Sequence, residues 1–283
     1  MFLDPRLPPG LTLGLEMKLS ALGATFVDAC SKEAVCFSTP AALGDDSPGP
    51  LVVLFDGNLR AEHARALDRK PPALLLACRD GDQSLAPWET ELLFAFLAQD
   101  SLVPSGSTSV EFHLRQPADM DAAATAAAQF VQASGGGSYV AGAAADVIYE
   151  LAANALFDAP ADMNGVARYA HRRGEALTME PADAARARIV VDGEVLYIQT
   201  ADKFGRLTPA PLAAAVRQIG GKVKVNTEGG GAGLGLIRVI DQSDLVAIRV
   251  ARGRRCEVTC VLTMQNVRRR SARPKSVLFF SNT

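Results

Sequence analysis

Residues 150–159 read ELAANALFDA, and this stretch decides the fold that the sequence predicts for the second half of the chain. Glu150, Asn154 and Asp158 are spaced four residues apart, so on a helix they line one face, and most residues between them are apolar. The pattern predicts a helix over residues 143–157. A carboxylate and a carboxamide one turn apart can hold a hydrated Mg²⁺ together with a water molecule, although a solvent-exposed helix face has the same pattern.

A second polar motif follows a predicted strand. Residues 202–205 read DKFG and come directly after a strand expected at 195–200. The carboxylate of Asp202, at the end of that strand, can accept a hydrogen bond from an exocyclic amine such as that of adenine. An acidic residue in an ordinary turn is the alternative interpretation.

A glycine-rich run stands before a third predicted element. Residues 229–236 read GGGAGLGL and lead into a helix expected at 234–241. Glycines allow the backbone to approach an anion closely, and a helix start offers free N–H groups and a positive dipole end. Flexible linkers are also rich in glycine, but a linker would not continue into an apolar helix.

In this order, the three motifs resemble the signature of the histidine-kinase-like (GHKL) ATPase superfamily, which includes gyrase, chaperone, histidine-kinase and MutL types. The resemblance covers residues 107–264 and implies a Bergerat-type fold with ATP bound between the helices and the sheet. It implies that Asn154 ligates Mg²⁺, that Glu150 orients or deprotonates the attacking nucleophile, and that Asp202 binds the adenine amine. It assigns the rest of the ATP site to Asp158, Phe204, Gly205, Gly231, Gly233, Leu234 and Gly235, with a short lid at 220–230.

The second motif departs from the family pattern. The family has DxGxG there, whereas Phe204 and Arg206 occupy its glycine positions and Gly205 falls between them. Phe204 either packs under the adenine or fills part of its pocket. The preceding segment, a half-buried strand at 110–115 and a helix at 119–133, resembles the layout of the anti-sigma-factor serine kinases.

The remaining patterns of this half complete an α+β sandwich. Asp192-Gly193 is a strong turn signal between two apolar runs and predicts a hairpin. Helices and strands in this arrangement are expected to place the helices on one face of an antiparallel sheet. The predicted elements are strands at 189–191, 195–200, 245–250 and 256–264 and a helix at 209–219.

The first third of the chain predicts a small α/β domain. Leu51–Phe55 (LVVLF) and Ala73–Ala77 (ALLLA) are continuous apolar runs, as in strands buried on both faces of a parallel sheet. A helix at 59–69 between them completes a βαβ unit, and Pro87–Ala98 predicts a further helix that begins with proline. The predicted division is an α/β domain at 1–103, a linker at 104–109 and an ATPase-like domain at 110–283 with a basic C-terminal extension.

The first domain weakly resembles a response-regulator receiver. Asp56 follows the strand Leu51–Phe55, where a receiver carries its phosphoacceptor. No acidic pair ends an earlier predicted strand, Cys78 stands where Ser or Thr is expected, and no lysine follows a fifth strand. Asp56-Gly57-Asn58 is also an ordinary turn sequence. We therefore expect a degenerate, receiver-like interaction domain.

Composition restricts the function classes. The 283 residues carry a net charge of −2, with 48% hydrophobic and 21% charged residues, which is typical of a globular protein and argues against a nucleic-acid binder. Neither a secretory signal nor an apolar stretch of transmembrane length is evident, so we expect a cytoplasmic protein without membrane insertion. The five cysteines show no zinc-type spacing and are expected to be reduced, buried thiols.

The C-terminal segment combines a basic run with an apolar one. Residues 276–280 (SVLFF) are too apolar to remain in solvent, so we expect them to dock on a sheet edge or on a partner. The basic residues before them, expected to form a solvated tail, are Arg268, Arg269, Arg270, Arg273 and Lys275.

These observations predict a cytoplasmic bacterial signalling protein that binds ATP with Mg²⁺ and regulates a partner protein. Phosphorylation of Ser or Thr in that partner is one route. The alternative is a non-catalytic, nucleotide-gated interaction module or a scaffold with a degenerate site. His63, His113 and His171 do not lie on a long helix before the ATPase-like region, so a self-phosphorylating histidine kinase is not expected. A homodimer is compatible with the sequence.

Overall fold

The computed structural model describes residues 1–44, 46–69, 72–78, 85–162, 166–170, 178–221 and 232–282. The strands in these ranges form one ten-stranded sheet with helices on both faces, so the protein is a mixed α/β protein. The strands are β1 (Phe2–Leu3), β2 (Cys36–Ser38), β3 (Leu51–Phe55), β4 (Ala73–Ala77), β5 (Thr108–Leu114), β6 (Ala185–Asp192), β7 (Val195–Asp202), β8 (Leu245–Ala251), β9 (Arg255–Thr263) and β10 (Ser276–Asn282). The α-helices are α1 (Pro9–Ala21), α2 (Arg65–Asp68), α3 (Pro87–Ala98), α4 (Pro117–Ala133), α5 (Ser138–Ala153), α6 (Pro209–Gly220) and α7 (Ala232–Gln242).

The sheet changes from parallel to antiparallel along its width. Its strand order is β1-β2-β3-β4-β10-β8-β9-β7-β6-β5. The first four strands run parallel to one another, and β5 to β9 pair in antiparallel fashion. β10 is antiparallel to β4 and parallel to β8, so the last strand of the chain joins the two halves of the sheet.

The two apolar runs predicted as parallel strands are confirmed. β3 and β4 pair in parallel register and are buried along their whole length, as a strand without a polar face requires. The helix predicted at 59–69 is shorter, since a 3₁₀ turn at Ala61–Ala64 precedes the single turn of α2. Arg60 is extended and its N–H donates to Nδ1 of His63 at 3.1 Å, which fixes the start of this turn.

Apolar layers cover both faces of the sheet. On one face, α4 to α7 pack against the antiparallel strands, and this layer continues under β3 and β4 through Ala66 and Leu67 of α2. On the other face, α1 and α3 form a second layer that also contacts Tyr197 of β7 and Val261 of β9. Burial of this apolar surface is the main favourable term in folding.

The helix that carries the first polar motif differs from its prediction at both ends. α5 begins at Ser138, where the N–H of Tyr139 donates to Oδ1 of Asn266 at 2.9 Å. Its α-helical geometry ends at Ala153, and Asn154–Asp158 form a π-helical turn. A π turn is wider than an α turn and is frequent at functional sites. The four-residue spacing of Asn154 and Asp158 therefore does not correspond to one regular α-helical turn.

The apolar C-terminal run lies inside the sheet, and the expectation that it docks on a sheet edge is wrong. β10 pairs with β8 along its whole length and with β4 over residues 277–279. Val277, Leu278 and Phe279 are fully buried. A strand buried on both faces must also satisfy its backbone groups on both sides, and the interior position supplies both partners.

The basic run before β10 is not a solvated tail, which corrects a second expectation. Arg270 is 2% exposed and Lys275 is 3% exposed, although Arg268 and Arg269 are exposed. Arg270 and Arg273 donate to the fully buried carboxylate of Asp244, at 2.7 Å from Nη2 and 2.8 Å from Nε respectively.

Further hydrogen bonds complete this buried group, which we name the Asp244 cluster (Asp244, Arg270, Arg273 and Lys275). Asp244 also accepts hydrogen bonds from the N–H and the hydroxyl of Thr263, at 2.7 and 2.9 Å. The ammonium of Lys275 donates to three backbone carbonyls at 2.6, 2.8 and 2.8 Å. The cluster therefore holds the segment that leads into β10 against the end of α7.

Two of the five cysteines are not free thiols, contrary to the prediction. Cys30 and Cys36 form a disulfide, with their Cα atoms 5.9 Å apart. Cys256 and Cys260 are buried thiols as expected, and Cys78 is a partly buried thiol.

The segment predicted as a linker leads directly into the sheet. β5 begins at Thr108, two residues before the predicted start of the second domain, and forms one edge of the sheet. The division of the chain into two domains stays a prediction.

One helical segment of the described chain, Ser138–Asp158, is long and apolar enough to cross a membrane by length and composition. Of its most apolar window, 67% is buried inside the molecule. This degree of burial is consistent with the core helix of a soluble protein.

We predict that Arg270→Met destabilises the protein by about 3–5 kcal/mol, because it removes one partner of a fully buried ion pair. Arg268→Met is the control, since Arg268 is exposed in the same segment, and it should change stability by less than about 0.5 kcal/mol. Urea unfolding monitored by circular dichroism measures both variants. Equal stability of the two variants would show that the Asp244 cluster does not hold β10.

Candidate functional site

A cavity of about 200 Å³ opens between α5, α6, α7 and the ends of β7 and β9. Asn154 and Asp158 of the first motif and Asp202 of the second line this same cavity. Three predicted site residues from two distant segments are thus brought together. Most of the other lining residues are apolar and include Leu151, Ala155, Leu207, Pro211, Leu236 and Val258.

Asp202 stands at the last position of β7, where the chain turns away from the sheet. Its Oδ1 accepts hydrogen bonds from the N–H groups of Phe204 at 2.8 Å and Gly205 at 3.1 Å. Burial raises the pKa of Asp202 above its ordinary value, against the opposing effect of these backbone donors and of nearby Arg206. The loop therefore holds the carboxylate in a fixed orientation within a poorly solvated site.

The residues at the two altered glycine positions lie in different places. Phe204 is partly buried and packs against the apolar core, whereas Arg206 lines the cavity. Nη1 of Arg206 donates to the backbone carbonyl of Asp158 at 3.3 Å, which links the second motif to the π turn of the first.

Gly205 has a structural reason to be glycine. Its φ is +58°, and a Cβ at this position would lie 2.1 Å from the carbonyl oxygen of Ala251. Neither the conformation nor the contact suits an L side chain. Gly205 therefore fixes the Asp202 loop against the end of β8.

Glu150 does not line the cavity, although it lies on α5 only four residues before Asn154. Its Oε1 accepts a hydrogen bond from Nη1 of Arg238 in α7 at 3.1 Å. Arg238 Nε also lies 3.9 Å from Oδ2 of Asp146, one turn before Glu150. The hydrogen bond to Glu150 and the charge of Asp146 raise the pKa of Arg238, so this guanidinium is charged throughout the accessible pH range.

The glycine-rich motif is only partly described. Gly231 and residues 222–230 of the predicted lid lie outside the described residues. Gly233 lies in the first turn of α7, Leu234 is 49% exposed, and Gly235 is buried beside Glu150. Leu236, one residue further, lines the cavity.

Sequence reasoning missed several residues of this cavity. Thr200 lies two residues before Asp202, so the strand period of two places both on one face, and this signal was available. Cys256 and Val258 line the cavity because β9 pairs with β7, which places Cys256 opposite Asp202 and Val258 opposite Thr200. Burial raises the pKa of Cys256 well above its ordinary value, so its thiol is neutral.

The polar lining of the cavity includes one carboxamide and two carboxylates, from Asn154, Asp158 and Asp202. Among the described residues, no group of three or more His, Cys, Asp or Glu side chains could hold a metal ion. The amide of Asn154 and the carboxylate of Asp158 are oxygen donors on one rim of the cavity. Mg²⁺ is commonly held by one or two protein oxygens together with water molecules, so the oxygen chemistry of these two residues is compatible with Mg²⁺.

Among the described residues, Asp56, His63 and His113 do not line this cavity. Asp56 is bound to Arg60 at 2.5 Å and accepts a hydrogen bond from the N–H of Asn58. Burial acts to raise the pKa of Asp56, but these contacts outweigh it, so the pKa is lowered. His63 is buried next to Phe55, His113 is on the edge strand β5, and His171 lies outside the described residues.

No protein-family model matches the chain, and no curated protein matches it significantly.

We predict that Gly205→Ala destabilises the protein by about 1–3 kcal/mol more than Gly253→Ala. Both glycines have positive φ, but a Cβ at Gly253 meets open space, so the difference isolates the contact with Ala251. Gly253→Ala should cost only the backbone term of about 1–2 kcal/mol. Denaturant unfolding of both variants measures the difference. Equal losses would contradict the packing of the Asp202 loop against β8.

Proposed function

We propose that the cavity binds the base of an adenine nucleotide and that the chain is a nucleotide-gated regulator of a partner protein, of the GHKL type. The observation that carries the proposal is the convergence of Asn154, Asp158 and Asp202 on one largely apolar cavity. A concave, largely apolar cavity with a few fixed polar groups is the usual form of a small-molecule site. An antiparallel sheet covered by α4 to α7 supports a GHKL-type domain over residues 107–264.

Recognition of the adenine ring depends on Asp202. Oδ1 accepts hydrogen bonds from the N–H groups of Phe204 and Gly205, and the backbone N–H of Cys256 also donates to this carboxylate. A carboxylate has about four acceptor positions, so it can accept one more donor. The exocyclic amine of adenine is a hydrogen-bond donor that this carboxylate can accept. The surrounding Leu236, Val258 and neutral Cys256 offer the apolar contacts that a purine ring needs.

Asn154 and Asp158 would hold Mg²⁺ on the phosphate side, and the metal would neutralise phosphate charge when bound. Arg206 reaches the same rim through its contact with the Asp158 carbonyl. The rim thus carries both a guanidinium and oxygen donors, which suits a magnesium-bound polyphosphate.

Contacts between the first third of the chain and α6 support a regulatory role. Arg217 of α6 is bound to Asp68 of α2 at 2.5 Å. Gly220, at the end of α6, lies so close to the backbone of Arg60 and Ala61 that a Cβ would approach within 2.3 Å. The receiver-like region therefore contacts the helix that leads into the predicted nucleotide lid. A protein partner bound to that region could act on the site through α6, and we propose that this occurs in the bacterial cytoplasm.

Phosphorylation of a partner Ser or Thr is the second candidate function. It is favoured by the place of Glu150, one helical turn before Asn154 and within the GHKL motif. The contact between Glu150 and Arg238 favours binding without turnover.

Isothermal titration with Mg-ATP and Mg-ADP tests the proposed function. Asp202→Asn should weaken binding by about 1–3 kcal/mol, because the amide places a donor where the amine needs an acceptor. Asp192→Asn in the β6–β7 turn is the control and should bind like the wild type. Absence of nucleotide binding by the wild-type protein would refute the function.

The pH dependence provides an independent signature of Asp202. Its pKa is raised, and only the ionised carboxylate is a pure acceptor, so wild-type affinity should fall as the pH drops through this raised pKa. Asp202→Asn should lose this acid-side fall, after correction for the titration of the nucleotide phosphates. A fall of the same size in both proteins would remove Asp202 from the site.

A further prediction concerns the metal. Asn154→Ala should lose most of the gain in ATP affinity that Mg²⁺ provides, about tenfold or more, because a direct oxygen ligand is removed. Asn154→Asp keeps an oxygen at this position and should retain the Mg²⁺ effect. ATP titrations in excess Mg²⁺ and in EDTA measure this gain in affinity. Wild-type Mg²⁺ dependence in Asn154→Ala would show that the metal is held elsewhere.

A further inference from the structure

The side chain of Glu150 contacts α7 and is not among the residues that line the cavity. One carboxylate oxygen, Oε1, accepts the hydrogen bond from Arg238 at 3.1 Å. The other, Oε2, lies 2.8 Å from the place where a Cβ would stand at Gly235. The carboxylate is thus held between a guanidinium and the backbone of α7.

Gly235 acquires a second role from this contact. A Cβ there would also approach the carboxyl carbon of Glu150 to 3.7 Å and Oδ1 of Asn154 to 3.9 Å. Glycine inside a helix is normally less favourable than alanine. Its presence at this position lets α7 approach the polar stripe of α5 closely enough for Arg238 to reach Glu150.

In this arrangement α7 engages Glu150 at both carboxylate oxygens. A base must reach the proton that it removes, directly or through one water molecule. Glu150 does not line the cavity, and both of its oxygens face α7 in the described structure. Leu236, the next residue after Gly235, does line the cavity. The position of α7 relative to α5 therefore determines the shape of the cavity wall.

We propose that Glu150 is a positioning residue: with Gly235 and Arg238 it forms an α5–α7 clasp that sets the wall of the nucleotide cavity, and the clasped site binds nucleotide without turning it over. The proposal rests on the proposed function for its nucleotide-dependent part. Asn154 and Asp202 hold the ligand, and the clasp fixes the helix that closes over it. A surface ion pair adds little stability, so the main effect of the clasp is to set the position of α7 relative to α5.

The first experiment examines the clasp without nucleotide, by urea unfolding of a double-mutant cycle. Gly235→Ala should lower the unfolding midpoint in the wild-type background, because the new methyl displaces the held carboxylate. In the Glu150→Ala background the same change should raise the midpoint, because alanine is then the better helix residue. An identical effect of Gly235→Ala in both backgrounds would refute the contact and with it the proposal.

The second experiment measures Mg-ADP and Mg-ATP affinity of Glu150→Gln, Arg238→Gln and the double variant. Each single variant should weaken binding by about threefold to tenfold, and the double variant should be no weaker than either, since both remove one interaction. Arg238→Lys keeps the charge and should recover part of the loss. Arg188→Gln, which breaks a comparable pair with Glu111 at the far edge of the sheet, is the control and should bind normally.

The outcomes separate this proposal from the proposed function. If Glu150→Gln binds nucleotide like the wild type but abolishes phosphate release, Glu150 is a base and the proposal fails while nucleotide binding stands. Additive losses in the two single variants would also overturn it. If the wild-type protein binds no nucleotide, the proposed function fails, and the unfolding cycle alone decides whether the clasp exists.

Discussion

The insertion of β10 between β4 and β8 is the constraint on which the rest of the structure depends. This strand belongs to the last residues of the chain, yet it provides the hydrogen bonds that unite the parallel and antiparallel halves of the sheet. The Asp244 cluster holds the approach to β10 by charge-assisted hydrogen bonds in a fully buried position. Loss of one partner there leaves an uncompensated buried charge, which is among the largest costs of a single substitution.

The position of the cavity follows from this sheet. β8 and β9 lie next to β10, and β9 in turn fixes β7, so Asp202 and Thr200 reach the cavity floor opposite Cys256 and Val258. The same strands support α5 and α7 above them. Gly205 packs against the end of β8, so the loop that orients Asp202 depends on the register of the strands beside it.

The polar stripe that runs from α5 into the following π turn divides into two parts with different surroundings. Asp146 and Glu150 face Arg238 of α7, whereas Asn154 and Asp158 line the cavity. The π turn at Asn154–Asp158 begins where the stripe changes from one environment to the other. One continuous helical segment therefore both contacts α7 and lines the cavity. Under the proposed function, this segment would couple a bound nucleotide to the position of α7.

The sequence by itself determined the local features that depend on short-range chemistry. Continuous apolar runs identified β3 and β4, proline marked the start of α3, and Gly193 identified the β6–β7 hairpin, because backbone conformation and burial pattern are read within a few residues. Motif spacing also selected Asn154, Asp158 and Asp202, which meet in one cavity.

Only the tertiary structure decided which surfaces meet. The run 276–280 carries the same apolar pattern whether it joins an edge or the interior of a sheet, and only the presence of both β4 and β8 selects the interior. The basic composition of residues 268–275 predicted that Arg270 and Lys275 are exposed. Both are buried, because Asp244 and three backbone carbonyls accept their hydrogen bonds. The motif resemblance implied that Glu150 is a general base. Its structural partner Arg238 is 88 residues away, and no local pattern encodes a contact between side chains so distant in the chain.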